Sequence, residues 1–304
     1  MTMINGVINV YKEKGYTSHD VVAKLRGITH QKKIGHTGTL DPQAEGVLLV
    51  CFGAATRICD QIEDWHKSYH AECRFGLCTD TQDLTGQVLE THEVTCSEEE
   101  IRDAAASFQG PYEQVPPMYS ALKVGGKRLY ELARQGKSVE RKARCVCIDE
   151  IRVGSYDPEE HVAELDVTCS KGTYIRTLCE DLGRRLGCGA AMQSLVRTAV
   201  GAFTADRAVK LDQIDEMFRR GELNSLLIPV DSLFPEMPAI SVTERAARLL
   251  ANGNPLADSD VVPGSAPEDG LRYRVYGSDG KFQAIYAWDA GRKLFYPHKM
   301  FLTD

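Results

Sequence analysis

Three short segments carry residue types that could do chemistry. The densest is Gly35-His36-Thr37-Gly38-Thr39-Leu40-Asp41-Pro42. Glycines permit tight turns, threonine hydroxyls can pin a loop, and Pro42 stiffens the chain after Asp41. A carboxylate on a stiff loop ahead of an apolar run can attack an electrophile or abstract a proton. A plain Asp-Pro turn has the same local pattern. The second segment is Cys169-Ser170-Lys171-Gly172-Thr173-Tyr174-Ile175-Arg176, a strand running through a glycine turn into a helix start. Arg176 there could pair with a loop carboxylate and hold it ionised, or it could be a surface arginine. The third is Lys67-Ser68-Tyr69 at the head of a strand, where Tyr69 is either core or a ring face for a stacked base.

These segments need elements to hold them, and hydrophobic periodicity supplies candidates. Asn5 to Tyr11, Gly46 to Gly53, Tyr69 to Gly76 and His161 to Cys169 read as strands, the second nearly continuous and so suited to burial. Thr17 or Ser18 can cap a helix with Val21, Val22, Leu25 and Ile28 on one face. Ser97-Glu98-Glu99-Glu100 is a capping box, followed by Ile101, Ala104, Ala105 and Phe108 on one helical face up to Gly110-Pro111. A short basic helix is expected at Leu129 to Arg134, and a longer one at Tyr174 to Leu186 ending at Gly187. Strands and helices mix without a strict βαβ period, so the fold class is α+β. Pro229, Pro235 and Pro238 suggest a linker. Beyond it, a helix at Thr243 to Asn252 and strands at Leu271–Tyr276 and Phe282–Trp288 make a small β-rich tail.

Composition narrows the class. The 304 residues are 43% apolar and 26% charged, which is ordinary for a folded globular chain. The longest nearly apolar stretch, Gly46 to Ala55, is too short to span a bilayer, and the N-terminus lacks the pattern of a secretory signal. A cytoplasmic protein is expected. Ten cysteines include no Cys-x-x-Cys pair and no zinc-finger spacing, so packed thiols are expected and a metal site is not. The net charge of −7 hides a segregation. Residues 123–144 carry eight Lys and Arg against Glu131 and Glu140, and residues 1–37 carry six against Glu13 and Asp20. Two basic segments in an acidic chain suggest a local site for a polyanion, although a solvated face has the same composition.

In their order and spacing the segments resemble the TruB-type tRNA pseudouridine-55 synthases. The match includes Gly6-Val7-Ile8-Asn9-Val10, Gly35 to Pro42, Tyr69 to Gly76 with Thr79-Asp80-Thr81, and Gln114 to Lys123. It continues through Arg128 to Gly136, Cys169 to Arg176, Asp181-Leu182-Gly183 and Leu195, and so spans roughly residues 4 to 205. Asn252-Gly253-Asn254-Pro255 and Gly280-Lys281-Phe282 are similar to the PUA-type RNA-binding domain that closes bacterial members. One departure is Glu13, where the family usually has proline after the lysine, which puts local stiffness there in question.

The resemblance implies a pseudouridine synthase fold, a mixed central sheet flanked by helices, in residues 1–235, and a PUA-like domain in residues 236–304. It implies Asp41 as nucleophile, Arg176 as its partner, and Tyr69 stacked on a flipped uracil near C5. His36 would contact the RNA, and Tyr174 and Leu195 would line the pocket. A basic loop of about residues 117–144, with Lys123, Lys127, Arg128, Arg134 and Lys137, would close on the tRNA T-arm. No cofactor and no metal are implied, and a monomer is expected. Asp41 could attack C1′, attack C6 or assist elimination at C2′, and the base for the C5 proton is Tyr69 or a water relayed by Asp41. Other readings are a tRNA-folding chaperone, a guide-RNA-directed relative, which lacks support from any long Lys-rich tail, and a nucleotide hydrolase, which lacks its phosphate loop.

Overall fold

The computed structural model describes residues 3–302 other than 263 and 265. β1 (Gly6–Lys12) and α1 (Ser18–Thr29) lead through the short β2 (Ile34–His36) to β3 (Glu45–Phe52). After α2 (Cys59–Glu63) come β4 (Lys67–Phe75), the hairpin of β5 (Leu77–Thr79) and β6 (Val88–Thr91), α3 (Glu98–Ala106) and β7 (Gly110–Gln114). An arm of β8 (Lys123–Val124), β9 (Lys127–Arg128) and α4 (Leu129–Ala133) follows. The chain then returns as β10 (Arg144–Asp157), β11 (Val162–Cys169), α5 (Ile175–Leu186), β12 (Ala190–Val200), β13 (Phe203–Thr204) and α6 (Leu211–Arg219). The tail holds β14 (Ala239–Ser241), α7 (Ala247–Ala251), β15 (Leu256–Ala257), β16 (Arg272–Tyr276), β17 (Phe282–Asp289) and β18 (Leu294–Met300).

The main sheet has nine strands. Its path is β1-β3-β12-β4-β11-β10-β7, with β2 on β3 and β13 on β12. The fold class is α+β, as the mixed pattern predicts. One half of the sheet is buried on both faces. Val47, Leu49 and Cys51 of β3 face one core, while Leu48, Val50 and Phe52 face another under α1 and α6. That is why Gly46–Gly53 reads as an unbroken apolar run. The other half is one-sided: Ala71, Cys73 and Phe75 of β4 pack beneath α3 and α5, while His70, Glu72 and Arg74 alternate with them on the opposite face.

The caps behave as the residue types dictate. Thr17 and Asp20 form a reciprocal capping box on α1, and Ser97 and Glu100 do so on α3. Tyr174 is the residue before α5, and Gly187 closes that helix at φ 77°. Phe108 lies just past α3 but is still buried, and Gly110-Pro111 opens β7. The helix expected at Thr243 to Asn252 shrinks to α7 after a single 3₁₀ turn at Glu244–Ala246. The Thr243 hydroxyl donates to the Asp260 carbonyl (3.2 Å) and makes no helix cap.

The tail forms a second, five-stranded sheet in the order β14-β16-β17-β18-β15. The proline-rich stretch before it is packed rather than loose. Val230 and Leu233 are buried with Val7, Leu49, Ile285 and Phe301 in one core that spans both sheets. Arg274 donates from Nε to the Met237 carbonyl at 2.8 Å, and the Tyr276 hydroxyl donates to Asp231 at 2.9 Å. Prolines restrict this segment without separating it, because apolar side chains alternate with them.

Candidate active site

Asp41 sits on the loop between β2 and β3. Lys12, fully buried at the end of β1, reaches under that loop: its Nζ donates to the carbonyls of Tyr16 (2.6 Å), Glu13 (3.2 Å) and Pro42 (3.3 Å). The Gly15 amide also donates to Pro42 O, at 2.8 Å. Ser18 at the start of α1 accepts from the Leu40 amide at 3.0 Å. Backbone on both sides of Asp41 is thus tied down from below. Glu13 leaves this arrangement intact, since only its carbonyl joins it while its carboxylate pairs with Lys210 at 3.3 Å on the surface.

Arg176 arrives on the first turn of α5, 4% exposed. Its Nε meets Asp41 Oδ2 at 2.9 Å and its Nη2 donates to Oδ1 at 3.3 Å, the fork-to-carboxylate geometry that fixes both position and plane. Nη2 also donates to the Tyr119 carbonyl (3.0 Å), and Nη1 to the Thr81 carbonyl (3.1 Å), with Asp83 Oδ2 at 3.9 Å. Every nitrogen of the guanidinium has a partner. The Asp41 side chain keeps 39% exposure toward the cleft. Burial raises its pKa above the usual carboxylate value; Arg176 and then Lys12 oppose that, while Asp83 adds to it. The carboxylate is therefore oriented, open on one side and more basic than an ordinary aspartate, which suits attack on carbon or removal of a proton.

Tyr69 lies on β4, opposite Val167 of β11 and Arg197 of β12. Burial raises its phenol, with the Arg197 charge working against the rise and Asp41 with it. Leu195, 7% exposed, lies opposite Ala71 and so on the same sheet face as Tyr69. Tyr174 exchanges two hydrogen bonds with Gln114: its amide donates to Oε1 (2.8 Å) and its carbonyl accepts from Nε2 (3.0 Å). Burial raises its phenol, which Ser120 and Arg176 counter. The expected pair of Asp41 and Arg176 is brought into direct contact, and Tyr69 and Tyr174 share their electrostatic surroundings. His36 lies at the end of β2. It packs edge-on to His19 at 5.3 Å, and burial, then His19, lower its pKa, so it is a neutral ring.

The arm carries the basic residues into solvent. Gly125 (φ 59°) and Gly126 (φ 83°) make the tight hairpin between β8 and β9, a turn that needs two left-handed residues. Lys123, Lys127, Arg134 and Lys137 are exposed and Arg128 is half-buried. Leu129 and Leu132 are buried under the arm, and Arg128 and Arg134 flank the Tyr130 ring at 5.8 and 5.5 Å. The root of the arm is tied to the cleft through the Tyr119 carbonyl on Arg176.

Sequence reasoning passed over Asp83, the floor role of Lys12, and Arg197. A lone arginine between Val196 and Thr198 in an alternating strand was the available signal for Arg197. Among the described residues, Cys78, Glu90 and His92 on the β5–β6 hairpin bring ligand atoms within 4.8 Å of one another, but Glu90 and His92 already pair at 3.2 Å. An apolar cavity of about 860 Å³ lies between Trp65, Phe203, Phe234 and Leu271, and no residue of the Asp41 constellation lines it. No described helix is long and apolar enough to cross a membrane.

Comparison with known proteins supplies the relatives of this arrangement. Residues 26–175 match the TruB family pseudouridylate synthase N-terminal domain, and residues 176–235 match the tRNA pseudouridylate synthase B C-terminal domain. The chain is 48% identical to the tRNA pseudouridine synthase B of Lachnoclostridium phytofermentans, across 98% of this chain and 100% of the relative. It is 42% identical to the tRNA pseudouridine synthase B of Bacillus pumilus, across 93% of each. Among solved structures, the archaeal box H/ACA sRNP Nop10-Cbf5 complex shares the fold at TM-score 0.73 and 22% identity, covering 99% of this chain and 88% of that one. A loop carboxylate forked onto a buried arginine, within domains matched from residue 26 to 235 and relatives aligned over nearly the whole length, leads to one conclusion: the chain belongs to the TruB family of pseudouridylate synthases and is a pseudouridine synthase.

Proposed function

We propose that the enzyme converts uridine 55 in the T-loop of tRNA to pseudouridine, with Asp41 as nucleophile and the target base flipped out of its stack. The observation that carries this reading is the two-point Asp41–Arg176 contact, 2.9 and 3.3 Å, with the carboxylate open to the cleft. The isomerisation breaks C1′–N1 and makes C1′–C5. The electron pair of the broken bond leaves with the uracil, and Asp41 takes up the deficit at C1′, adds to C6, or assists loss of the C2′ proton. After C5 bonds to C1′, the C5 proton leaves and N1 gains one. Atoms and electrons balance with no redox step, so the reading invokes no cofactor and no metal.

Flipping costs a few kcal/mol, which phosphate contacts and restacking offset. In this reading Tyr69 stacks on the base, Tyr174 and Leu195 line its pocket, and His36 meets the RNA beside it as a neutral ring. Lys123, Lys127, Arg128, Arg134 and Lys137 grip T-arm phosphates. Residues 236–304 act as a PUA-like RNA-binding domain on the catalytic unit of residues 1–235, and the enzyme works as a cytoplasmic monomer. The test is an unmodified tRNA transcript tritiated at uridine C5. Release of one equivalent of tritium, mapped to a single T-loop uridine, is the expected result; release from another loop, or none, overturns it.

A further inference from the structure

Arg197 heads the large side chains that are fully buried, at 1% exposure. It stands directly opposite Tyr69 across β12 and β4. Its backbone presses on Gly46 of β3, where a Cβ would meet the Arg197 carbonyl oxygen at 2.2 Å. Its Nε donates to the Val47 carbonyl at 2.7 Å. Its Nη1 lies 3.6 Å from the point a Cβ on Gly38 would occupy, so the guanidinium passes beneath the loop that carries Asp41. Nη2 has no hydrogen-bond partner among the described residues. The ion pairs beside the cleft run through Arg176, and none reaches Arg197 among the described residues.

A buried guanidinium with an idle donor and no carboxylate is costly, and such a group asks for a reason. Burial first, with Arg197 adding, pushes Lys67 down to about 8, and burial does the same to Lys12, with Arg197 again contributing. Burial, then His19, lowers His36, with Arg197 a smaller contributor. Arg197 differs from Arg176, the other buried arginine beside the cleft, in having no carboxylate among the described residues to offset its charge.

We propose that Arg197 is a positioning residue for the isomerisation: it braces Tyr69 against the Gly38–Asp41 loop and, through the Tyr69 hydroxyl, supplies positive charge to the uracil as it detaches. The inference rests on the reading given under Proposed function. Breaking C1′–N1 leaves an electron pair spread over N1, O2 and O4 of the uracil, and that pair is spent again when C5 bonds to C1′. A stacked phenol whose hydroxyl is polarised by a buried cation turns a less electron-rich face to such an anion than a phenol alone. Arg197 gains and loses no proton in the cycle.

The test is a double-mutant cycle read as single-turnover rate and as tRNA dissociation constant. Arg197→Met is expected to slow conversion about 100-fold, the scale of losing one preorganised donor, with the dissociation constant within about threefold. Arg197→Lys, which keeps a cationic donor, is expected to lose about tenfold or less. In a Tyr69→Phe background the further loss from Arg197→Met is expected to shrink to about threefold or less, because the hydroxyl it acts through is gone. Full additivity in that background, equal losses for Met and Lys, or a loss confined to tRNA binding each overturns the proposal. If Arg197→Met does not fold, the same cycle with Arg197→Lys decides by the same criterion. A wild-type enzyme that forms no pseudouridine in the labelled transcript would instead remove the functional reading.

Discussion

Each nitrogen of the Arg176 fork is engaged inside the protein, whereas Lys123, Lys127 and Lys137 extend from the arm into solvent. The floor of the cleft is over-determined: Lys12, Gly15 and Ser18 hold the backbone around Asp41, and Arg176 holds its carboxylate. The arm rests on two buried leucines and a two-residue turn. The floor's charges are desolvated, so each is worth much and tolerates little change. The arm's charges are hydrated and individually weak, so they act by number and are screened by salt. One region is built to hold a geometry, the other to meet a polyanion, and the Tyr119 carbonyl on Arg176 joins them.

The sharpest way to break this division is Asp41→Asn. It keeps the shape and removes the charge, so single-turnover conversion should fall by about 10⁴-fold or more while tRNA binding stays within about threefold. Any comparable loss of binding would place Asp41 in the wrong region. Arg176→Met comes next, with an expected loss of about 10² to 10³-fold. Burial already holds the Asp41 pKa above its ordinary value and Arg176 opposes that. Removing the guanidinium raises it further, so the acidic limb of the rate–pH profile should move to higher pH, with Arg176→Lys between Met and wild type. A limb that stays put in both variants would reassign Arg176 to RNA contact.

The arm is tested by Lys127→Glu with Arg128→Glu. The slope of log binding constant against log salt should flatten by about 2, with the rate at saturation within about fivefold. An unchanged slope would mean these residues do not meet phosphates. The smallest effect is expected from Glu13→Ala. Its ion pair with Lys210 is exposed and worth about 1 kcal/mol at most, so melting temperature and rate should barely move. A tenfold loss of rate there would show that the loop depends on Glu13 for stiffness, and not on Lys12 and the Gly15 amide.

Much of this was legible in the residues themselves. A capping box announced α3 and a Thr17 or Ser18 cap announced α1, because a Ser or Thr side chain satisfies the first free helix amides locally. The unbroken run of β3 announced a strand buried on both faces. Asp41 stood out because glycine, threonine and proline around a carboxylate constrain a short loop. The proline cluster after Pro229 shows that the chain is restricted there but not how it packs: Val230 and Leu233 bury it against both sheets, which no local pattern reveals. Asp83 was missed because nothing in its own turn shows that Arg176, 93 residues later, passes 3.9 Å away.

The amino-acid sequence by itself determined several of the elements, the candidate nucleophile, the uneven charge and the family resemblance, since those depend on neighbours along the chain and on ordered motifs. Only the tertiary structure decided which charges are shared and which stand alone. Arg176 and Arg197 are both arginines in apolar surroundings, on one helix and the next strand. The first lies against two carbonyls and a forked carboxylate, while the second has a single donor to Val47 and an idle Nη2. That difference comes from pairing β12 with β3 on one side and β4 on the other, which slides Arg197 under the loop and opposite Tyr69. Long-range pairing of this kind depends on how whole faces pack, and no local stretch of residues encodes it.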